Sequence, residues 1–117
     1  MKIIFYRKEG GRSPIEDFIL RCNDQEKLEI AAHLDALSQL GFKARRPLVD
    51  YLEDGIYELR VRVLKKQIRV LYFFFHRNKI IATNAFVKKS TKDYIKEIGK
   101  AKRLREDFMI RRDKNNG

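Results

Sequence analysis

The 117-residue chain has room for one domain and one core, which excludes a separate cofactor-binding or regulatory module. It carries 27 Lys and Arg against 16 Asp and Glu, a formal net charge of +11, while 44% of its residues are hydrophobic. The apolar content excludes an intrinsically disordered chain, and the positive charge predicts a polyanionic partner. The charge is uneven, since residues 1–40 hold 6 basic and 7 acidic side chains whereas residues 41–89 hold 12 and 4.

The N-terminal third predicts a strand followed by two helices. Lys2–Tyr6 is a short β-rich run that ends at a glycine turn. Ser13 precedes a proline and can cap a first helix, which we expect to end near Arg21. Asn23 repeats the capping pattern for a longer second helix, and Gly41 marks its end. The apolar stripe of this second helix consists of Ile30, Ala31, Leu34, Leu37 and Leu40.

The middle of the chain predicts an ordered loop and then an antiparallel meander of three strands. Residues Phe42–Asp54 show no regular periodicity, so we expect a loop there. Tyr57–Val63 alternates strictly, with apolar side chains on one face and Glu58, Arg60 and Arg62 on the other. Ile68–Phe75 and Lys79–Val87 are nearly continuous apolar runs, which is typical of central strands.

A long C-terminal helix is predicted from about Thr91 to Arg112, with residues 113–117 as a frayed tail. It either docks internally or binds a partner. Its apolar side consists of Tyr94, Ile95, Ile98, Ala101, Leu104 and Phe108. The predicted order is β-α-α-β-β-β-α, an α+β fold over residues 1–117 in which two N-terminal helices pack on one face of an antiparallel sheet and a C-terminal helix completes the domain.

The candidate functional residues are cations on the polar face of this sheet. Arg60 and Arg69 lie on neighbouring strands and Lys88 ends the third, so their charges gather and repel unless an anion such as phosphate binds. Arg69 interrupts an apolar strand, and a charge in that position is usually paired or functional. Glu58 is a plausible ion-pair partner, so a purely structural salt bridge is an equally good interpretation.

Phosphoryl transfer on RNA suits such a cationic face, because RNA supplies its own nucleophile in the 2′-hydroxyl. The protein then needs to stabilise the transition-state charge and help move protons, for which Lys88 and Tyr94 are the candidates. Five further basic residues are candidates for binding RNA: Arg62, Lys65, Lys66, Lys89 and Lys92. The alternative interpretation favours Arg62, Lys65 and Lys66 as ordinary exposed charges beside a turn, while Lys88 and Lys89 could equally be a cation pair that ends a strand.

Several other functional classes are disfavoured. The two histidines, His33 and His76, have no Cys or carboxylate at metal-ligand spacing, and no glycine-rich phosphate loop is present, so we expect no metal and no cofactor. Cys22 is better explained as a small core residue than as a nucleophile. The N-terminal apolar run is too short for a signal peptide and no stretch could span a bilayer, so we expect a soluble cytoplasmic protein without membrane contact.

Three segments resemble a known toxin superfamily. The runs at Gly55–Val61 (GIYELRV), Ile68–Tyr72 (IRVLY) and Phe86–Lys89 (FVKK) are similar to the HigB-like and phage-derived branch of the RelE/ParE superfamily. The resemblance covers nearly the whole chain. It implies a toxin of a type II toxin–antitoxin pair that enters the A site of the 70S ribosome and cleaves mRNA without a metal.

The same resemblance implies roles for individual residues and a protein partner. Arg60, Arg69 and Lys88 match the family's basic positions, and Tyr94 matches an aromatic residue that some RelE-like members use near the scissile phosphate. The chain departs from the pattern at Glu58, where a lysine can stand, and at Lys88, where an arginine can stand. The expected partner is a small antitoxin, often a helix-turn-helix protein of the HigA kind.

Two other functions remain open on sequence grounds. A ParE-like inhibitor would share the fold and act on DNA gyrase without cutting RNA. A non-catalytic RNA- or ribosome-binding protein would use the basic residues for affinity alone, and its binding would weaken steeply with salt.

Overall fold

The computed structural model describes residues 1–116, without the side chains of the last two, and has the predicted α+β class. One β-sheet lies between helices. The elements in chain order are β1 (Lys2–Phe5), α1 (Pro14–Leu20), α2 (Asp24–Leu40), β2 (Val49–Glu53), β3 (Ile56–Val63), β4 (Lys66–Phe75), β5 (Lys79–Val87) and α3 (Thr91–Asn116), with a short 3₁₀ turn at Gly41–Lys43.

The sheet has five strands in the order β1-β5-β4-β3-β2. The meander from β3 to β5 is antiparallel, as predicted, and β1 pairs in parallel with β5. The prediction of a loop over Phe42–Asp54 is wrong for its second half, because β2 pairs antiparallel with β3 there. Val49 is buried but Tyr51 is exposed, so the apolar pattern of this edge strand is too weak to show in the sequence.

Both predicted helix caps of the N-terminal pair are confirmed. The Ser13 side chain accepts a hydrogen bond from the N–H of Glu16, and Asn23 and Glu26 form a complete capping box. The apolar side predicted for α2 includes residues that are not buried in the structure. Ile30 and Leu37 are buried against the sheet, whereas Ala31 and Leu40 are exposed.

The helices cover both faces of the sheet. Helices α1 and α2 pack on the face that holds Leu59, Val61 and Val70, and Cys22 is partly buried beside them. Helix α3 packs on the opposite face over Leu71 and Phe73. The alternation of side chains along each strand therefore serves two separate cores.

Helix α3 docks internally. Polar contacts along the helix attach it to the rest of the domain. Lys102 pairs with Glu53 at 2.5 Å, Arg105 pairs with Asp54 at 2.9 Å, and Asp107 accepts a hydrogen bond from Tyr6 at 2.5 Å. Ile95 was expected to be buried, but it is 72% exposed. The helix continues to Asn116 instead of ending near Arg112, and Gly117 of the predicted tail lies outside the described residues.

Part of β3 has no neighbouring strand on the side of β2. Pairing between β2 and β3 begins with Val49 opposite Leu59, and the last backbone contact runs from the Arg60 N–H to the Leu48 carbonyl at 2.8 Å. Beyond Arg60, β3 therefore forms the edge of the sheet. Within residues 1–116, no helix combines the length and apolar character needed to cross a membrane.

Candidate active site

An open cleft of about 570 Å³ lies at the uncovered edge of β3. Its floor is the polar face of two neighbouring strands, and residues of α2 and of the segment that precedes β2 border it at the edge of the sheet. The lining residues are Arg60 and Arg62 of β3, Gln67 and Arg69 of β4, and His33, Pro47 and Leu48 of the border. The site therefore depends on where β2 begins.

Strand register brings the arginines together. Arg60 lies directly opposite Arg69 in the β3–β4 pairing, and Arg62 lies opposite Gln67. Side chains of directly opposed residues stand on the same face with their Cβ atoms about 5 Å apart. Two like charges at this spacing repel each other, so the arrangement needs a counter-charge.

Glu58 supplies that counter-charge from within the sheet. One of its carboxylate oxygens lies 3.2 Å from Nε of Arg69 and the other lies 3.9 Å from Nε of Arg60. Arg62 projects from the same face two residues further along. Asp50, which lies opposite Glu58 in the β2–β3 pairing, is already paired with Arg46 at 2.5 Å. The arginines that line the cleft outnumber the carboxylate between them, which leaves the cleft floor positively charged and suited to an anion.

Arg69 is locked in place. Its side chain is 3% exposed, and its guanidinium donates to the Tyr94 hydroxyl at 3.0 Å, the Ile68 carbonyl at 3.2 Å and the Gln67 amide oxygen at 2.9 Å. Arg60 is different, because 34% of its side chain is exposed. Arg60 therefore has donors to offer a ligand, while Arg69 contributes charge and rigidity.

Tyr94 completes the buried network from α3. Its hydroxyl donates to Glu58 at 2.6 Å, and burial, reinforced by this hydrogen bond, raises the pKa of Tyr94 above its ordinary value. Its ring meets Phe86 edge-on, and Nζ of Lys88 lies 5.1 Å from the ring centroid. Arg60, Arg69, Tyr94 and Lys88 are thus brought together, but only the two arginines line the cleft.

The five predicted RNA-binding residues do not form one surface. Arg62 lines the cleft. Lys65 lies in the exposed β3–β4 turn, and Lys66 points to the other face of the sheet, where it pairs with Glu26 at 2.7 Å. Lys89 and Lys92 are exposed at the start of α3, and the Lys89 N–H donates to Asp93 at 2.6 Å.

His33 lines the cleft, although its sequence context indicates only that it is not a metal ligand. It follows Ile30 by three residues and precedes Leu37 by four, so it lies beside the two buried residues of α2. A polar side chain next to the buried side of a helix is the sequence feature that could have identified His33 as a candidate site residue. Pro47 and Leu48 had no comparable signal, because they belong to the segment assigned as a loop.

Comparison with known proteins identifies one family. The family model described as phage-derived protein Gp49-like (DUF891) matches residues 17–106. This span contains α2, the whole β2–β5 meander and every cleft residue. No curated protein matches the chain.

Proposed function

The chain belongs to the phage-derived protein Gp49-like family, a RelE-like family associated with toxin–antitoxin toxins, and on this premise we propose that it is an endoribonuclease toxin that cleaves mRNA. The activity would inhibit translation. We further propose that it acts on mRNA in the ribosomal A site, as HigB-like toxins are expected to do.

One observation carries the proposal: an open cleft whose floor presents Arg60 and Arg62 on a rigid sheet, with Arg69 fixed behind them. Guanidinium groups match the geometry of two phosphate oxygens, and side chains on strands are better preorganised than those on loops. A phosphodiester in the cleft would supply the negative charge that Glu58 alone does not.

The chemistry follows from this arrangement. The 2′-hydroxyl attacks the adjacent phosphorus, negative charge builds on the non-bridging oxygens, and the bond to the 5′-oxygen breaks. Arg60 and Arg62 would stabilise that charge through donors aimed at the phosphate, and removing one such donor typically costs roughly 10²- to 10³-fold in rate. The products are a 2′,3′-cyclic phosphate and a 5′-hydroxyl.

The family association also supports a protein partner. We propose that a small antitoxin neutralises this chain, with a helix-turn-helix protein of the HigA kind as the expected form. Acidic side chains that cover Arg60 and Arg62 would block the cleft directly. Binding at a different surface is the alternative, and a cleavage assay with the antitoxin present distinguishes competition from remote inhibition.

Brief induction in a bacterial host, followed by mapping of transcript 5′ ends, tests the proposal. We expect growth arrest and new 5′ ends within coding regions. Arg60→Ala should abolish both effects. Arg77→Ala is the matched control, because it removes an exposed arginine from the turn at the other end of β4, roughly 20 Å away.

Two outcomes would contradict the nuclease proposal. DNA damage with intact transcripts would favour a ParE-like gyrase inhibitor. Growth arrest with intact transcripts, together with salt-sensitive binding to RNA, would favour a non-catalytic binding protein.

A further inference from the structure

One of the side chains that line the cleft is an imidazole. Arginine stays protonated, and the remaining lining side chains of Gln67, Pro47 and Leu48 do not titrate. Imidazole is the side chain that ordinarily changes its protonation in this range. Among the lining residues this leaves His33.

The orientation of the His33 ring is defined by its own helix. Nδ1 lies 2.7 Å from the Glu29 carbonyl oxygen, and the side chain is 27% exposed. A carbonyl oxygen can only accept a hydrogen bond, so the neutral ring carries its proton on Nδ1. Nε2 is then the atom with a free lone pair, and it can accept a proton from a substrate in the cleft.

The other candidates for proton transfer are poorly placed. The Tyr94 hydroxyl donates to Glu58 and accepts from Arg69, so both of its roles are filled. The Glu58 side chain is 5% exposed and faces these same two partners. Lys88 lies over the Tyr94 ring and does not line the cleft.

We propose that His33 is the general base of the cleavage reaction, an inference that rests on the proposed nuclease function. Nε2 takes the proton of the 2′-hydroxyl as the 2′-oxygen forms its bond to phosphorus. The bond between phosphorus and the 5′-oxygen breaks with its electron pair on that oxygen, which then takes a proton from water. The proton on Nε2 returns to solvent before the next turnover.

Charged groups surround the cleft that His33 lines. Glu29 Oε2, on the same helix, lies 3.7 Å from Nδ1. Arg60 and Arg62 of β3 and Arg69 of β4 line the same cleft, and the ion pair between Arg46 and Asp50 flanks Pro47 and Leu48. The arginines hold the phosphate and His33 moves the proton, so the two functions belong to different residues and can be tested separately.

The test is the pH dependence of RNA cleavage by the full chain, measured between pH 5 and pH 9 on ribosome-bound mRNA. For the unmodified protein, we expect the cleavage rate to rise tenfold per pH unit on the acid side and then level off. His33→Ala should lose roughly 10²- to 10⁴-fold and show no acid-side dependence. Added imidazole should restore part of the activity. A purely structural residue would show neither effect.

Two variants serve as controls. His76→Ala removes the other histidine of the chain, which lies in the β4–β5 turn beside Arg112, and should retain the full rate and pH profile. His33→Gln replaces the ring with a polar side chain that cannot act as a base. If circular dichroism shows that His33→Ala does not fold, His33→Gln replaces it in the cleavage assay.

The outcomes separate this inference from the proposed function. If the unmodified protein cuts RNA and the His33 variants keep its rate and acid-side dependence, His33 is not the base but the nuclease proposal stands. If the unmodified protein cuts no RNA, both proposals fall. Arg60→Ala should lower the rate by roughly 10²- to 10³-fold, and the residual activity should still rise with pH on the acid side.

Discussion

Replacing Arg69 with methionine should destabilise the protein strongly. The side chains of Arg69 and Glu58 are 3% and 5% exposed and lie 3.2 Å apart. Removing one partner of a buried ion pair typically costs about 3–5 kcal/mol, whereas an exposed pair contributes about 0–1 kcal/mol. We expect the lower end of the first range, because Glu58 keeps the hydrogen bond from Tyr94 and Arg60 at 3.9 Å. Because small domains have only about 5–15 kcal/mol of stability, this loss is a large fraction of the total.

The double variant Glu58→Leu/Arg69→Met should recover much of that loss. Removing both charges eliminates the buried carboxylate that has lost Arg69, so we expect the double variant to be about 2 kcal/mol more stable than Arg69→Met alone. Urea unfolding followed by circular dichroism at pH 7 measures the four proteins of the cycle: the unmodified protein, Glu58→Leu, Arg69→Met and the double variant. Arg77→Met is the matched control, and its effect should stay within about 0.5 kcal/mol.

The reasoning is refuted if the two single substitutions are additive within about 0.5 kcal/mol, because the residues would then not be coupled. The result also affects how toxicity data are interpreted. Loss of toxicity in an Arg69 variant indicates a catalytic role only if the variant is still folded. Arg60, which is partly exposed, is the better residue for testing catalysis.

Three other predictions follow from contacts outside this pair. Tyr72→Phe should stabilise the protein by about 1 kcal/mol in urea unfolding, because the buried Tyr72 hydroxyl has no hydrogen-bond partner among the described residues; a loss of stability would contradict this. Lys66→Ala should lower stability at pH 7, since hydrogen bonding to Lys66 holds the pKa of Glu26 below its ordinary 4.5 and the pair holds the pKa of Lys66 above 10.5. Carboxylate stability of this kind is lost as pH falls through the folded pKa, so the difference from the unmodified protein should shrink below pH 4.5 and also above pH 10.5. Arg62→Ala should reduce the slope of log RNA affinity against log salt by about 1, and an unchanged slope would place Arg62 outside the RNA contact.

Local features of the chain could be predicted from the sequence because their causes lie within a few residues. The Ser13 and Asn23 caps depend on side chains that reach backbone groups three residues away. The alternation of Tyr57–Val63 places Glu58, Arg60 and Arg62 on one face whatever the strand pairs with. The α+β class, the β3–β5 meander and the polar arginine face follow from such local patterns.

The pairing of β1 and β2 and the docking of α3 on the sheet depend on residues that are distant in the sequence. The sequence of β1 does not show whether this strand pairs with β5 or with another edge of the sheet. The sequence of β2 has no clear strand pattern, and this segment is a strand because it forms backbone hydrogen bonds with β3. The exposure of Ile95 has the same origin, since the angle at which α3 crosses the sheet selects which residues it buries. Periodicity alone does not determine that angle.

The sequence by itself determined that this protein is a basic α+β domain with arginines along one face of a strand meander. Only the tertiary structure decided that Arg69 faces inward to Glu58 and Tyr94, that Arg60 faces an open cleft, and that His33 comes to the same cleft from α2. The physical reason is that composition and periodicity describe neighbours along the chain. A cleft forms between side chains from distant parts of the chain, which are brought together by strand register and by the position at which β2 begins.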